Sequence, residues 1–205
     1  MYKRLILLTL AMGVFFSASV QASSVLVSNL AEPTRATSAL DVGLWAAQSF
    51  STDANSYNLV DIMALLGGAT GGPLVVAELH QDTPTGALLT TFAVPDLTGA
   101  VSVKTLTPLS GVSLNPSTTY WLVLGVSNSG GFGWSYAEGN NWVGPGALSF
   151  FGYSTDQGAS WGAFDIFNPY QIAVDVSSST VPEPSTLVAG LSALLVASGF
   201  RFRRR

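Results

Sequence analysis

The chain has 205 residues, 48% of them hydrophobic, no cysteine and a formal net charge of −4. That leaves room for one domain with a sizeable core and removes disulfide frameworks, cysteine zinc sites and thiol nucleophiles. Between residues 23 and 180 only two basic residues, Arg35 and Lys104, stand against eleven carboxylates, a net of −9, which excludes a nucleic-acid footprint and argues against adhesion to anionic lipid.

The first predicted element is a leader. "MYKRLILLTLAMGVFFSASVQA" places Lys3 and Arg4 before an apolar run from Leu5 to Phe16, then small residues with Val20 and Ala22 at the −3 and −1 positions of a cut. This is the pattern of a secretory signal peptide, so residues 1–22 are expected to be removed after Ala22.

The body, residues 23–176, reads as short strands. "YNLVDIMALL" (Tyr57 to Leu66) has no helix cap and is expected to stop at Gly67-Gly68. "PLVVAELHQD" follows, with Leu74, Val76 and Glu78 on one face and Val75, Ala77 and Leu79 on the other. "ALLTTFAVP" ends at Pro95. "TTYWLVLGVS" is the strongest run, with Tyr120, Leu122, Leu124 and Val126 on one face and Trp121 and Val123 on the other. "YQIAVDV" points Tyr170, Ile172, Val174 and Val176 inward, and Gln171, Ala173 and Asp175 outward. Turn chemistry such as "DTPTG", "NPSTT" and "EGNN" separates the runs. Many short strands, no helix pattern and no repeat period predict an all-β fold, a single jelly-roll-like β-sandwich.

After a flexible linker at 177–181 comes "VPEPSTLVAGLSALLVASGFRFRRR". Leu187 to Phe200 carries no charge, but its fourteen residues span roughly 21 Å as a helix, short against a bilayer core of about 30 Å. Arg201, Arg203, Arg204 and Arg205 would hold the C-terminus on the cytoplasmic side and leave the body outside. The segment is therefore expected to be a transmembrane helix with a weak hold.

Three unlike features in fixed order, Pro182-Glu183-Pro184-Ser185, the apolar run and the terminal arginines, make residues 182–205 resemble the PEP-CTERM sorting signal of Gram-negative surface proteins. The body resembles, more loosely, the choice-of-anchor R domain, through "AAQSFST", "YNLVDIMALL", "TPTGALLTTF", "LSGVSLNPSTTYWLVL" and "FGWSYAEGN". The tail resemblance implies an exosortase as partner, acting at or beside Pro182, Glu183 and Pro184, with only transient residence in the inner membrane. The body resemblance implies an architecture and no particular chemistry. A plain one-pass anchor is the competing reading of the tail.

Catalytic signals are thin. His80 is the single histidine and no Gly-x-Ser-x-Gly elbow is present, so a Ser-His-Asp triad is not expected. Most carboxylates stand in turns, where capping is their ordinary role, and no pair is singled out for glycoside hydrolysis. No metal site and no cofactor are assigned. Ca2+ is the one candidate ion, with "DVGLW", "STDAN" and "STDQG" as candidate ligand loops. Trp134, Trp142 and Trp161, among Tyr136, Tyr153, Asn140, Asn141 and Gln157, are the candidate carbohydrate-binding residues, because sugar faces stack on aromatic rings and hydroxyls pair with amides. The expectation is a non-enzymatic, exported cell-surface or matrix protein associated with exopolysaccharide. The alternative is a secreted carbohydrate-binding module or glycan-active enzyme.

Overall fold

Apolar and polar side chains alternate here in runs too short for helices, and such runs satisfy their backbone groups by pairing with one another. The computed structural model describes residues 22–179, and every regular element in them is a strand. In chain order these are β1 (Ser24–Ser28), β2 (Thr34–Asp41), β3 (Trp45–Ser51), β4 (Tyr57–Thr70), β5 (Val75–Gln81), β6 (Leu88–Ala93) and β7 (Ser102–Pro108). There follow β8 (Ser113–Leu114), β9 (Thr119–Val126), β10 (Gly131–Ala137), β11 (Ala147–Ser154), β12 (Gly162–Asp165) and β13 (Ile172–Ser178). The all-β expectation holds. The predicted leader up to residue 21 and the predicted sorting segment 182–205 lie outside the described residues. Among the described residues, no helix is long and apolar enough to cross a membrane.

All strand pairs are antiparallel. They form one curled sheet in the order β1-β13-β4-β7-β6-β5-β9-β3-β11-β12, with β10 joining β4 to β2, and β8 beside β4. The curl brings its far ends together. Residues 143–146, just ahead of β11, hydrogen-bond to β1: Ser28 N donates to Val143 O (2.9 Å), Val143 N to Ser28 O (2.8 Å) and Gly146 N to Leu26 O (2.8 Å). Glycine is required for this approach. Gly144 has a φ of +106°, and a Cβ there would lie 2.3 Å from Leu26 O.

The concave side holds the main core, in which Trp134, Tyr120, Tyr170 and Phe50 are the largest fully buried side chains. Strand β9 divides its side chains as its alternation predicts. Tyr120, Leu122, Leu124 and Val126 enter this core, whereas Trp121 and Val123 join Trp45 and Ala47 in a second cluster, with Val76 and Trp161 packed against it. Trp45 lies flat on Gly125, where a Cβ would stand 2.1 Å from its ring.

Two expectations need correction. Strand β4 does not stop at Gly67-Gly68. It continues to Thr70 and changes partner, from β13 to β10, where Gly68 turns at a φ of +68°. On β13 and just before it, Gln171 and Ala173 are buried, not outward, and Asp175 is half-buried. The strand has neighbours on both edges, and Gln171 plugs the gap where β13 gives way to β10 along β4. There Gln171 N donates to Ser135 O, and Leu65 N donates to Gln171 O.

That gap is held by buried amides. Gln48 Oε1 accepts from Tyr170 N (2.8 Å), Asn29 Oδ1 accepts from Ile172 N (2.8 Å), and Asn29 Nδ2 donates to Tyr170 O (3.1 Å). Gln171 accepts from Thr34 Oγ1 (2.7 Å) and donates to Glu32 O (2.8 Å). Each buried amide is satisfied on both its donor and its acceptor side, as burial demands.

Candidate functional site

The three candidate tryptophans occupy three different environments. Trp134, on β10, has no exposed surface. Its ring stacks on Tyr170 at 4.2 Å between centroids, and its Nε1 donates to Gln171 O. Tyr136, Phe151 and Tyr153 meet Tyr170 edge-on. Trp134 is thus a core residue and offers no face to a sugar, and Trp134, Tyr136, Phe151 and Tyr153 of the aromatic-rich second half pack around Tyr170. Burial pushes the Tyr170 hydroxyl far above the usual phenol range, and it donates to Ser38 Oγ.

Trp161 follows the "STDQG" turn. It is half-buried against the Trp45–Trp121 cluster, and its Nε1 donates to the Gly158 carbonyl. With Tyr153, Thr155, Ser160 and Gly162 it lines an open hollow of about 360 Å3.

Trp142 is 41% exposed. It sits in a loop cluster at the end of the sheet opposite the chain's exits from β1 and β13. Three loops meet there through side-chain hydrogen bonds. Asn168 N donates to Asn140 Oδ1 (2.9 Å), Asn141 Nδ2 to Glu32 Oε2 (3.3 Å) and Arg35 Nη1 to Asn168 Oδ1 (3.4 Å). An exposed indole beside anchored amides has the composition of a sugar-stacking face. Trp134 and Trp161 do not share this face.

The three candidate calcium loops use their carboxylates internally. Asp41 Oδ1 accepts from Gly43 N. Asp53 accepts from Asn55 N, Asn55 Nδ2 and Tyr57 Oη, which hold its carboxyl below the usual range. Asp156 accepts from Ser160 Oγ, Ser160 N and Ser154 Oγ, and these bonds pull its carboxyl down to about 2. These are turn-capping roles. Among the described residues, no group of three or more metal-ligating side chains forms.

His80 faces two acceptors, with Nε2 3.0 Å from Glu78 Oε2 and Nδ1 3.1 Å from Gly86 O. No serine hydroxyl contacts the ring among the described residues, so the geometry is a cross-link within the β5–β6 hairpin and not a nucleophile–base pair.

One acidic pair was not legible in the sequence. Asp61 and Asp175 stand directly opposite each other across β4 and β13, with Val25 of β1 on the far side of Asp175. Opposed residues in an antiparallel pair share a face, their Cβ atoms roughly 5 Å apart. Each carboxyl keeps a buried oxygen, Oδ1, without a hydrogen-bond partner. Burial, and for Asp61 also the charge of Asp175, raises both above the usual carboxylate range. Their separation of 114 residues in the sequence hides the pair from any reading by spacing.

No family model matches the chain, and no curated protein aligns with it.

Proposed function

We propose that this is an exported, non-enzymatic surface or matrix protein. In this reading its β domain, a jelly-roll-like sandwich, is delivered outside the inner membrane and released by an exosortase acting at Pro182, Glu183 and Pro184. The observation that carries the reading is where the domain's ends lie. β1 and β13 are antiparallel neighbours, with Ser24 opposite Val176, so both flanking segments leave from one end of the sheet. The Pro-Glu-Pro motif begins three residues beyond Ser179. Proline holds such a segment extended and withholds backbone donors, which suits capture in an enzyme cleft and not extension of the sheet. The engagement of His80 and of the loop aspartates in structural hydrogen bonds supports a role without catalysis.

The test is the intact mass of protein released from the cell surface. The expected species starts at Ser23 and lacks the arginine cluster, and Glu183→Ala leaves the domain folded but keeps the tail attached. Released protein that still carries Arg205 removes the sorting reading. A second reading, binding to exopolysaccharide, is favoured by exposed Trp142 among anchored asparagines. A glycan array with wild type and Trp142→Ala checks it, with signal lost in the variant.

A further inference from the structure

Strand β13 is anchored unevenly along its length. At its start, the buried amides of Asn29 and Gln48 grip Tyr170 and Ile172. At Asp175 the ladder is interrupted on both edges. The pairing with β4 shifts register between Asp175 and Val176, and the pairing with β1 shifts between Val25 and Val27, which oppose Asp175 and Val174. Such irregularities disrupt the ladder locally. Beyond this break Val176, Ser177 and Ser178 pair with Leu59, Asn58 and Tyr57 of β4, and Val176 also with Ser24 of β1.

The Asp61–Asp175 pair stands at the break. Ile62, Val174 and Val176 beside it fill the core, so the two carboxyls share the outer face of the sheet. No cation faces them among the described residues. β1 and β8 hold no titratable side chain. Tyr57 of β4 donates to Asp53, and Lys104 of β7 opposes Ala64, a core residue on the other face. Each carboxyl keeps a buried Oδ1 with no hydrogen-bond partner. A proton supplies what both oxygens lack, because a protonated carboxyl is a donor and carries no charge. A resident divalent cation takes six or more oxygen ligands, and among the described residues no group of three or more metal-ligating side chains forms.

We propose that this pair is a proton-operated latch on the end of β13. While one carboxyl holds a proton, the strand stays paired as far as Ser178. When both are ionised, like charges face each other across one rung and oppose the pairing. The segment from Asp175 to Ser178 then lifts off at the break, and the amide-anchored start of the strand stays in place. Burial raises both carboxyls, and the charge of Asp175 raises Asp61 further. The closed latch therefore binds protons more tightly than the open one. Release grows as pH climbs from the ordinary carboxylate value of about 4 through the raised folded values. The inference does not depend on the sorting reading. Under that reading, release adds the end of β13 to the tether ahead of Pro182.

The test is hydrogen exchange of the full chain in neutral detergent, read by mass spectrometry and corrected for the intrinsic pH dependence of exchange. Protection of the Asp175 to Ser178 amides is expected to fall by at least about threefold between about pH 5 and about pH 8, where one proton permits at most about tenfold per pH unit. Strand β9 serves as the reference and keeps its protection. Asp61→Asn and Asp175→Asn each hold the segment closed across the range, Asp165→Asn leaves the wild-type profile unchanged, and circular dichroism confirms that each variant is folded. Constant protection in the wild type overturns the proposal, as does a loss that persists in both latch variants. A loss that β9 shares also overturns it, because the proton then acts on the whole domain and not on the end of one strand.

Discussion

Replacing Gln48 with Leu tests the idea that buried amides, and not apolar packing alone, hold β13 in place. Gln48 has no exposed surface. Its Oε1 is the partner of Tyr170 N, and its Nε2 donates to Ser49 O (3.0 Å) and Phe150 O (3.2 Å). Leucine nearly fills the same volume, so the cavity term is small. Phe150 O keeps a donor, Ser49 Oγ at 2.9 Å, but Tyr170 N is left buried without an acceptor. An orphaned buried donor costs about 1–3 kcal/mol, and each exchanged neutral bond about 1 kcal/mol. The expected loss is therefore about 2–4 kcal/mol, which lowers the melting temperature of a domain this size by roughly 5–15 °C. Urea and thermal unfolding of the exported domain measure it, with Trp142→Ala as a surface control expected to change stability by less than about 0.5 kcal/mol. A Gln48→Leu protein within about 0.5 kcal/mol of wild type would refute the reasoning, because it would mean Tyr170 N finds another acceptor at no cost.

Two further outcomes follow from the same structure. Trp134→Ala removes the ring stacked on Tyr170 and is expected to cost about 3–5 kcal/mol, with Trp134→Phe milder; equal stability of Trp134→Ala and wild type in urea would place the ring outside the core. Asp61 and Asp175 bind protons more tightly folded than unfolded, so their contribution is fully present below the unfolded value of about 4 and is lost as pH rises through their raised folded values. Asp156 acts in the opposite sense and loses its contribution as pH falls toward about 2. Asp61→Asn should therefore raise stability at pH 7 and flatten its decline between mildly acidic and neutral pH; an unchanged slope of urea midpoint against pH would show that burial does not raise the Asp61 carboxyl in the folded domain.

What could be read in advance was local. The two faces of β9 follow from alternation within eight residues, and both clusters receive the side chains that Tyr120 to Val126 assign to them. The turn aspartates followed from short-range chemistry as well. The misreadings came from pairing at long range. Trp134, between Gly133 and Ser135, looks like a loop residue until Tyr170 is laid across it. Gln171 looks like the polar side of an alternating strand, but it fills the place where β4 exchanges one neighbour for another. The opposition of Asp61 and Asp175 depends on register, which bulges reset between Asp175 and Val176 and again between Val25 and Val27. A one-residue shift in register exchanges the faces of a strand, so periodicity alone cannot supply such contacts.

The position of β13 between β1 and β4 also determines how the domain responds to pulling. Tension applied to the end of β13 runs along the strand, and the inter-strand bonds on both edges lie across that direction. They are loaded in shear and must give way together, not singly from one end as in an unzipping hairpin. The buried amides of Asn29 and Gln48, which grip Tyr170 and Ile172 at the far end of the strand, hold the last point to slip. A domain towed by its C-terminus is thus loaded in shear across the bonds of β13 to β1 and β4.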